Sequence, residues 1–195
     1  MAEALDPRPD HWRQLPAPRI GPLEHEEMNA ATRGIAKAAE LAVGGGRPPN
    51  IFLTLARNSR LFAAWLAFAA QLMPRGSLPR RDTELVILRV AWNARCRYEW
   101  DHHVRLGRKA GLDDATIERI ASGPAAEGWR PLEAALLSAV DELQGDGLIS
   151  DARWGELSKH YDDKRMIELC MLAGHYEMLA KTITSLGIQP ERPLA

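Results

Sequence analysis

Cysteine is scarce in this chain of 195 residues, with only Cys96 and Cys170 present. Two thiols cannot build the disulfide framework of a small stapled secreted domain. Long apolar runs are missing too: no stretch approaches the ~20 apolar residues of a membrane-spanning helix. The opening Met1-Ala2-Glu3-Ala4-Leu5-Asp6-Pro7 lacks the basic region and apolar stretch of a secretory signal. These absences lead us to expect a cytoplasmic protein without a membrane partner. Nor does either charge sign dominate. Twenty-five basic residues balance 26 acidic ones for a net charge of −1, which offers no field for nucleic acid. The basic patch from Arg75 to Arg81 has acidic residues close behind it and reads as a solvated loop and helix start. Finally, no segment alternates apolar and polar residues between hairpin turns, so no strand is expected. The fold class is all-α.

What is present fits one globular domain: 46% apolar and 26% charged residues, on a chain long enough to bury a core. Five prolines (Pro7, Pro9, Pro16, Pro18, Pro22) mark residues 1–22 as an extended arm, ahead of a single helical domain over 23–195. Trp12, Leu15 and Ile20 are apolar enough to dock the arm on a neighbouring surface, another subunit's included. A first helix is expected from about Leu23 to Val43, stopped by Gly44-Gly45-Gly46. Asn50 and Ser59 are expected to cap the next two, and Pro79 to open one running through Ala94. After a break near Asn93 to Arg95, a helix carries Cys96 through Ala110 and stops at Gly111. Asp113 or Asp114, Pro131, Ser150 and Asp163 begin the remaining four, the last ending at Gly187. The pentapeptides Glu84-Leu85-Val86-Ile87-Leu88 and Glu168-Leu169-Cys170-Met171-Leu172 echo each other faintly, through shared ancestry of two helical pairs or through chance.

The chemistry concentrates in Glu84, Cys96, Glu99 and His103. Helical offsets of three and four residues return to one face, so Cys96, Glu99 and His103 form a stripe of thiol, carboxyl and imidazole. Glu84 lies twelve positions before Cys96 and faces that stripe from the preceding helix. Carboxyls are rarely buried without a partner, so four such groups on an apolar hairpin point to a working site. The bland alternative is a core cysteine beside a buried Glu99–His103 pair that fixes packing. His102, about 100° round the helix from His103, faces elsewhere. Tyr98 and Trp100 are candidate pocket walls, and Arg89, Arg95 or Arg97 could meet a substrate carboxylate. His175 and Tyr176, on the last helix, read as packing. Glu99 and His103 could share an ion with Glu84 or His102, but no His-x-x-x-His pair supports a metal, and neither metal nor cofactor is expected.

The spacing of Glu84, Cys96, Glu99 and His103, with the phrases Glu84 to Ala91, Cys96-Arg97-Tyr98-Glu99-Trp100 and Ala110-Gly111-Leu112, resembles the carboxymuconolactone decarboxylase and alkylhydroperoxidase D superfamily. The similarity runs from about Asn50 to Leu186. It implies an alkylhydroperoxidase D-like helical bundle that assembles as a dimer, trimer or hexamer, with no metal. In the peroxidase branch a second cysteine stands where this chain has Glu99, so the vicinal dithiol is absent. The resemblance implies a cofactor-free decarboxylase-like lyase acting on a small unsaturated lactone or oxo acid. His103 would serve as proton donor, poised by Glu84 or Glu99. A one-cysteine peroxidase using Cys96 on a peroxide is the alternative, although Glu99 nearby would raise the thiol pKa. A non-catalytic ligand-binding oligomer is the third reading.

Overall fold

The computed structural model describes residues 9–28, 32–34, 37 and 48–191. Eight α-helices are defined among the longer described stretches: α1 Asn50–Leu55, α2 Ser59–Leu72, α3 Arg80–Asn93, α4 Arg97–Lys109, α5 Asp114–Ser122, α6 Pro131–Gly145, α7 Asp151–Leu157 and α8 Asp163–Leu186. No strand occurs among the described residues. The all-α expectation is met among the described residues.

The chain divides into two compact units, each with its own core. Of the described residues, the first holds 9–14 and 76–182. Its centre is α3, on which Leu85, Val86, Ile87, Leu88, Val90 and Ala91 are all fully buried. A helix apolar all round must be surrounded, and α3 packs against α4, α5 and α6. Leu85, Leu88, Trp92, Trp100, Val104, Ile117, Ile120 and Leu137 form one continuous core. Gly107 lets α4 come close, since a Cβ there would lie 3.0 Å from Leu112 Cδ1 and 3.4 Å from Leu88 Cδ1. That approach sets α3 and α4 at the separation the site requires.

The second unit comprises residues 15–75 and 183–195. Phe62, Leu23 and Ala56 are its buried centre, with Phe52, Trp65 and Leu66 packed around them. Its N-terminal stretch is tied down by backbone bonds from Arg19 to Leu186 and from Leu23 to Leu53.

Several boundaries differ from expectation. Residues 23–28 hold only a 3-10 turn, His25–Glu27, because Glu27 accepts from the Glu24 amide at 2.9 Å and pairs with Arg57. Residues 32–34 and 37 are helical, and the rest of the expected 23–43 helix lies outside the described residues. Asn58, not Ser59, caps α2 by accepting from Leu61 N. Asn50 is itself the first residue of α1, and its side chain donates to the Gln189 carbonyl instead. The expected caps at Asp113 and Ser150 do form.

Part of the proline-rich arm is fastened to the chain's own core. Trp12 packs against Trp92 and Trp100, and His11 stacks on Trp92 with ring centroids 4.0 Å apart. Of the three docking candidates, Ile20 stays 42% exposed, while Leu15 lies against Gly187.

Candidate active site

The first unit contains all four sequence-derived site residues, and each is buried. Glu84 sits on the second turn of α3 with no exposed surface. Its Oε2 lies 2.8 Å from His103 Nδ1. Its Oε1 lies 2.5 Å from a guanidinium nitrogen of Arg80, one turn earlier on the same helix. With the carboxylate as acceptor, Nδ1–H of His103 donates to it, which fixes the ring and leaves Nε2 for chemistry. The predicted meeting of Glu84 with the stripe across the α3–α4 hairpin is therefore realised through His103.

Cys96 differs from expectation in one respect. The helix starts at Arg97, and Cys96 is its N-cap, in extended conformation with φ −95° and ψ 94°. The stripe within α4 is thus Glu99 and His103, with the sulfur at the helix entrance. The cause is the turn before it. Arg95 adopts φ 57°, a left-handed conformation that non-glycine residues rarely take. Its carbonyl accepts from Arg13 N, its guanidinium donates to the His11 carbonyl, and Cys96 N donates to Ala91 O. His11 also bonds the Trp92 carbonyl at 2.8 Å. Residues 11–13 therefore clamp the turn that presents Cys96.

Glu99 is the unusual member. It is 3% exposed, and neither carboxyl oxygen has a hydrogen-bond partner. The packing alternative, a buried Glu99–His103 pair, is accordingly not formed; the partner of His103 is Glu84. Burial holds the Glu99 carboxyl well above the usual carboxylate range, which favours its neutral form. Tyr176, from α8, closes the cluster edge-on to His103, with ring centroids 5.0 Å apart. Burial raises its phenol well above the ordinary value, aided by the nearby carboxyls of Glu99 and Glu84 and opposed by Arg80. Its neighbour His175 is lowered to about 4 by burial and so remains a neutral packing residue.

The other candidates are placed differently. Arg89 makes a two-nitrogen clasp on Asp141, at 2.7 and 2.8 Å, and donates to the Ile120 carbonyl. Arg97 pairs with Asp101. Trp100 belongs to the hydrophobic core, and Tyr98 lies against the His102 ring at 4.5 Å. Sequence reasoning missed Arg80, an ordinary helix-start arginine in a basic run. It read Tyr176 as packing, because nothing local ties position 176 to position 103. Glu168, the partner of Glu84 in the faint repeat, accepts from the amides of Ser77 and Leu78 and from the Ser77 hydroxyl, which anchors the loop before α3. Among the described residues no group of three or more His, Cys, Asp or Glu side chains could hold a metal ion. No helix among them is long and apolar enough to cross a membrane.

Residues 59–142 match the model of the carboxymuconolactone decarboxylase family. An uncharacterized peroxidase-related protein from Ralstonia eutropha JMP134 with an alkylhydroperoxidase AhpD core superposes with a TM-score of 0.78. The identity is 18%, over 91% of this chain and 94% of that one. The debrominase Bmp8 superposes with a TM-score of 0.73 at 16% identity, over 88% and 91% of the two chains. A protein of unknown function from Agrobacterium tumefaciens, a putative antioxidant defence protein AhpD, gives 0.63 at 22% identity, over 70% and 95%. No curated protein matches the chain.

Proposed function

From a chain whose residues 59–142 carry the carboxymuconolactone decarboxylase family segment on an alkylhydroperoxidase D-like fold, we propose an enzyme that decarboxylates a small unsaturated lactone or oxo acid by proton transfer. The observation that carries this reading is the fully buried Glu84 held 2.8 Å from His103 Nδ1. That arrangement orients an imidazole for acid–base work among buried side chains. The bond between carbon and the leaving carboxylate breaks, and carbon dioxide departs. The electron pair moves into the conjugated carbonyl as an enolate. Neutral Glu99 hydrogen-bonds the oxygen that gains charge, a role a carboxylate could not fill. His103 in its protonated form delivers a proton to carbon and is recharged from solvent. The test is a parallel assay of the purified protein on lactone acids and on an alkyl hydroperoxide with a thiol reductant; carbon dioxide release from the acids is expected.

A second reading is favoured by the position of Cys96 at the N-terminus of α4, where the helix field favours a thiolate. The thiolate would attack a hydroperoxide, break the O–O bond and leave a sulfenic acid and an alcohol, and an external thiol would then reduce the sulfur. Glu99 in place of a second cysteine weighs against this reading. We also propose a homo-oligomer. Ile167, Met171 and Met178 are exposed at spacings of four and seven along α8, a stripe suited to burial between subunits.

A further inference from the structure

Resting on the reading of this cluster as a small-acid site, we propose that Arg80 is its anion anchor, the residue that selects carboxylate-bearing ligands and seats them beside His103 and Glu99. Arg80 is the first residue of α3, so its side chain leaves the helix before the apolar run begins. Its side chain is 40% exposed, whereas that of the Glu84 it touches is fully buried. It therefore links the solvent-exposed surface to the buried Glu84 carboxylate. The cations favoured by sequence are engaged elsewhere: Arg89 on Asp141 and Arg97 on Asp101. Arg81, next in the chain, pairs with Glu133.

Among the described residues Arg80 makes one ion pair, to Glu84, with a guanidinium nitrogen 2.5 Å from Oε1. A guanidinium offers five N–H donors in a planar fork that matches a carboxylate through two parallel bonds. With five N–H donors, Arg80 can donate to such a ligand while keeping its pair with Glu84. Glu99 supplies the second recognition point. Its two buried oxygens have no partner, a costly state that a bound acceptor such as a carbonyl oxygen would relieve. The ligand that satisfies both is a small molecule with a carboxylate for Arg80 and a carbonyl oxygen for Glu99. A neutral analogue would satisfy only Glu99.

The experiment is calorimetric titration of the full chain with (5-oxo-2,5-dihydrofuran-2-yl)acetate and with its methyl ester. Wild type, Arg80→Lys and Arg80→Met are compared, with circular dichroism on each to establish that it is folded. Wild type should prefer the acid over the ester by about 10- to 100-fold, the scale of a charge-assisted hydrogen-bond pair. Arg80→Met should bind both alike, with ester affinity unchanged, and Arg80→Lys should keep part of the preference because it retains charge but not the fork. A wild type without preference, or an Arg80→Met protein that keeps it, overturns the anchor. If Arg80→Met fails to fold, an Arg80→Lys protein with undiminished preference overturns it as well. Binding is read without turnover, so the two proposals fail separately. The probe's carboxylate is insulated from the ring carbonyl by a saturated carbon. The reaction is therefore judged separately, by carbon dioxide release from lactone acids whose carboxylate-bearing carbon is conjugated with the carbonyl. Binding as described with no such release refutes the reaction alone.

Discussion

Replacing Glu99 by Met should stabilise the protein while removing part of its site. Met is close to Glu in length and volume, so the packing around position 99 is retained. The change removes two buried oxygens without partners, and an unsatisfied buried polar group costs about 1–3 kcal/mol. A gain of about 2 kcal/mol corresponds to a rise in Tm of roughly 4–8 °C in a protein of this size. The gain should also depend on pH. The folded-state pKa of Glu99 is raised above the ordinary 4.5. As pH climbs past that ordinary value, the unfolded chain releases the Glu99 proton and the folded chain keeps it. The folded state then binds more protons, so wild-type stability falls with rising pH, by up to about 1.4 kcal/mol per pH unit, until the folded carboxyl also ionises. Glu99→Met lacks this loss, and its advantage over wild type should grow from pH 4.5 towards neutrality. Thermal unfolding of both proteins at half-unit pH steps provides the measurement. A Glu99→Met protein that melts below wild type at pH 7, with an unchanged pH slope, would mean that Glu99 has a native partner, and the reasoning would fail.

His103→Gln should lose about 10²-fold or more in turnover, the usual scale for a general acid–base group, with only a modest drop in Tm. Glu84→Gln should behave alike; if the pair serves packing alone, both variants lose several degrees of Tm and keep activity per folded molecule. Brief peroxide treatment should leave Cys96 as a sulfenic acid or unchanged in mass spectra. A prompt two-hydrogen loss mapping to Cys96 and Cys170, both free thiols here, would revive the peroxidase reading. Light scattering at micromolar concentration should give at least twice the chain mass of 21.7 kDa, and a clean monomer would contradict the role given to the α8 stripe.

The helical class and most helix ends were legible because they rest on local chemistry. Pro131 opens α6, Asp113 caps α5 and Gly187 at φ 68° ends α8 as expected. That Glu84 faces the α4 stripe was legible as well, although the spacing left open whether Glu84 or Glu99 partners His103. The failures have tertiary causes. Cys96 falls outside α4 because Arg95 takes a glycine-like conformation, held there by residues 11–13, more than eighty positions away. The turn at His25–Glu27 owes its form partly to Arg57, thirty residues on. Arg89, Arg97 and Arg80 look alike in sequence. Arg89 is engaged by Asp141, 52 positions on, which no local pattern foretells, whereas the Arg97–Asp101 and Arg80–Glu84 pairs are i,i+4 contacts that helical spacing offers.

The proposed proton transfer to carbon is tested most directly by running the reaction in deuterium oxide with an unsaturated lactone acid. Wild type should release carbon dioxide and place one deuterium on the carbon that carried the lost carboxylate, and His103→Gln should do so at least ~10²-fold more slowly. Thiol-dependent consumption of an alkyl hydroperoxide, with no carbon dioxide and no deuterium in the recovered acid, would contradict it.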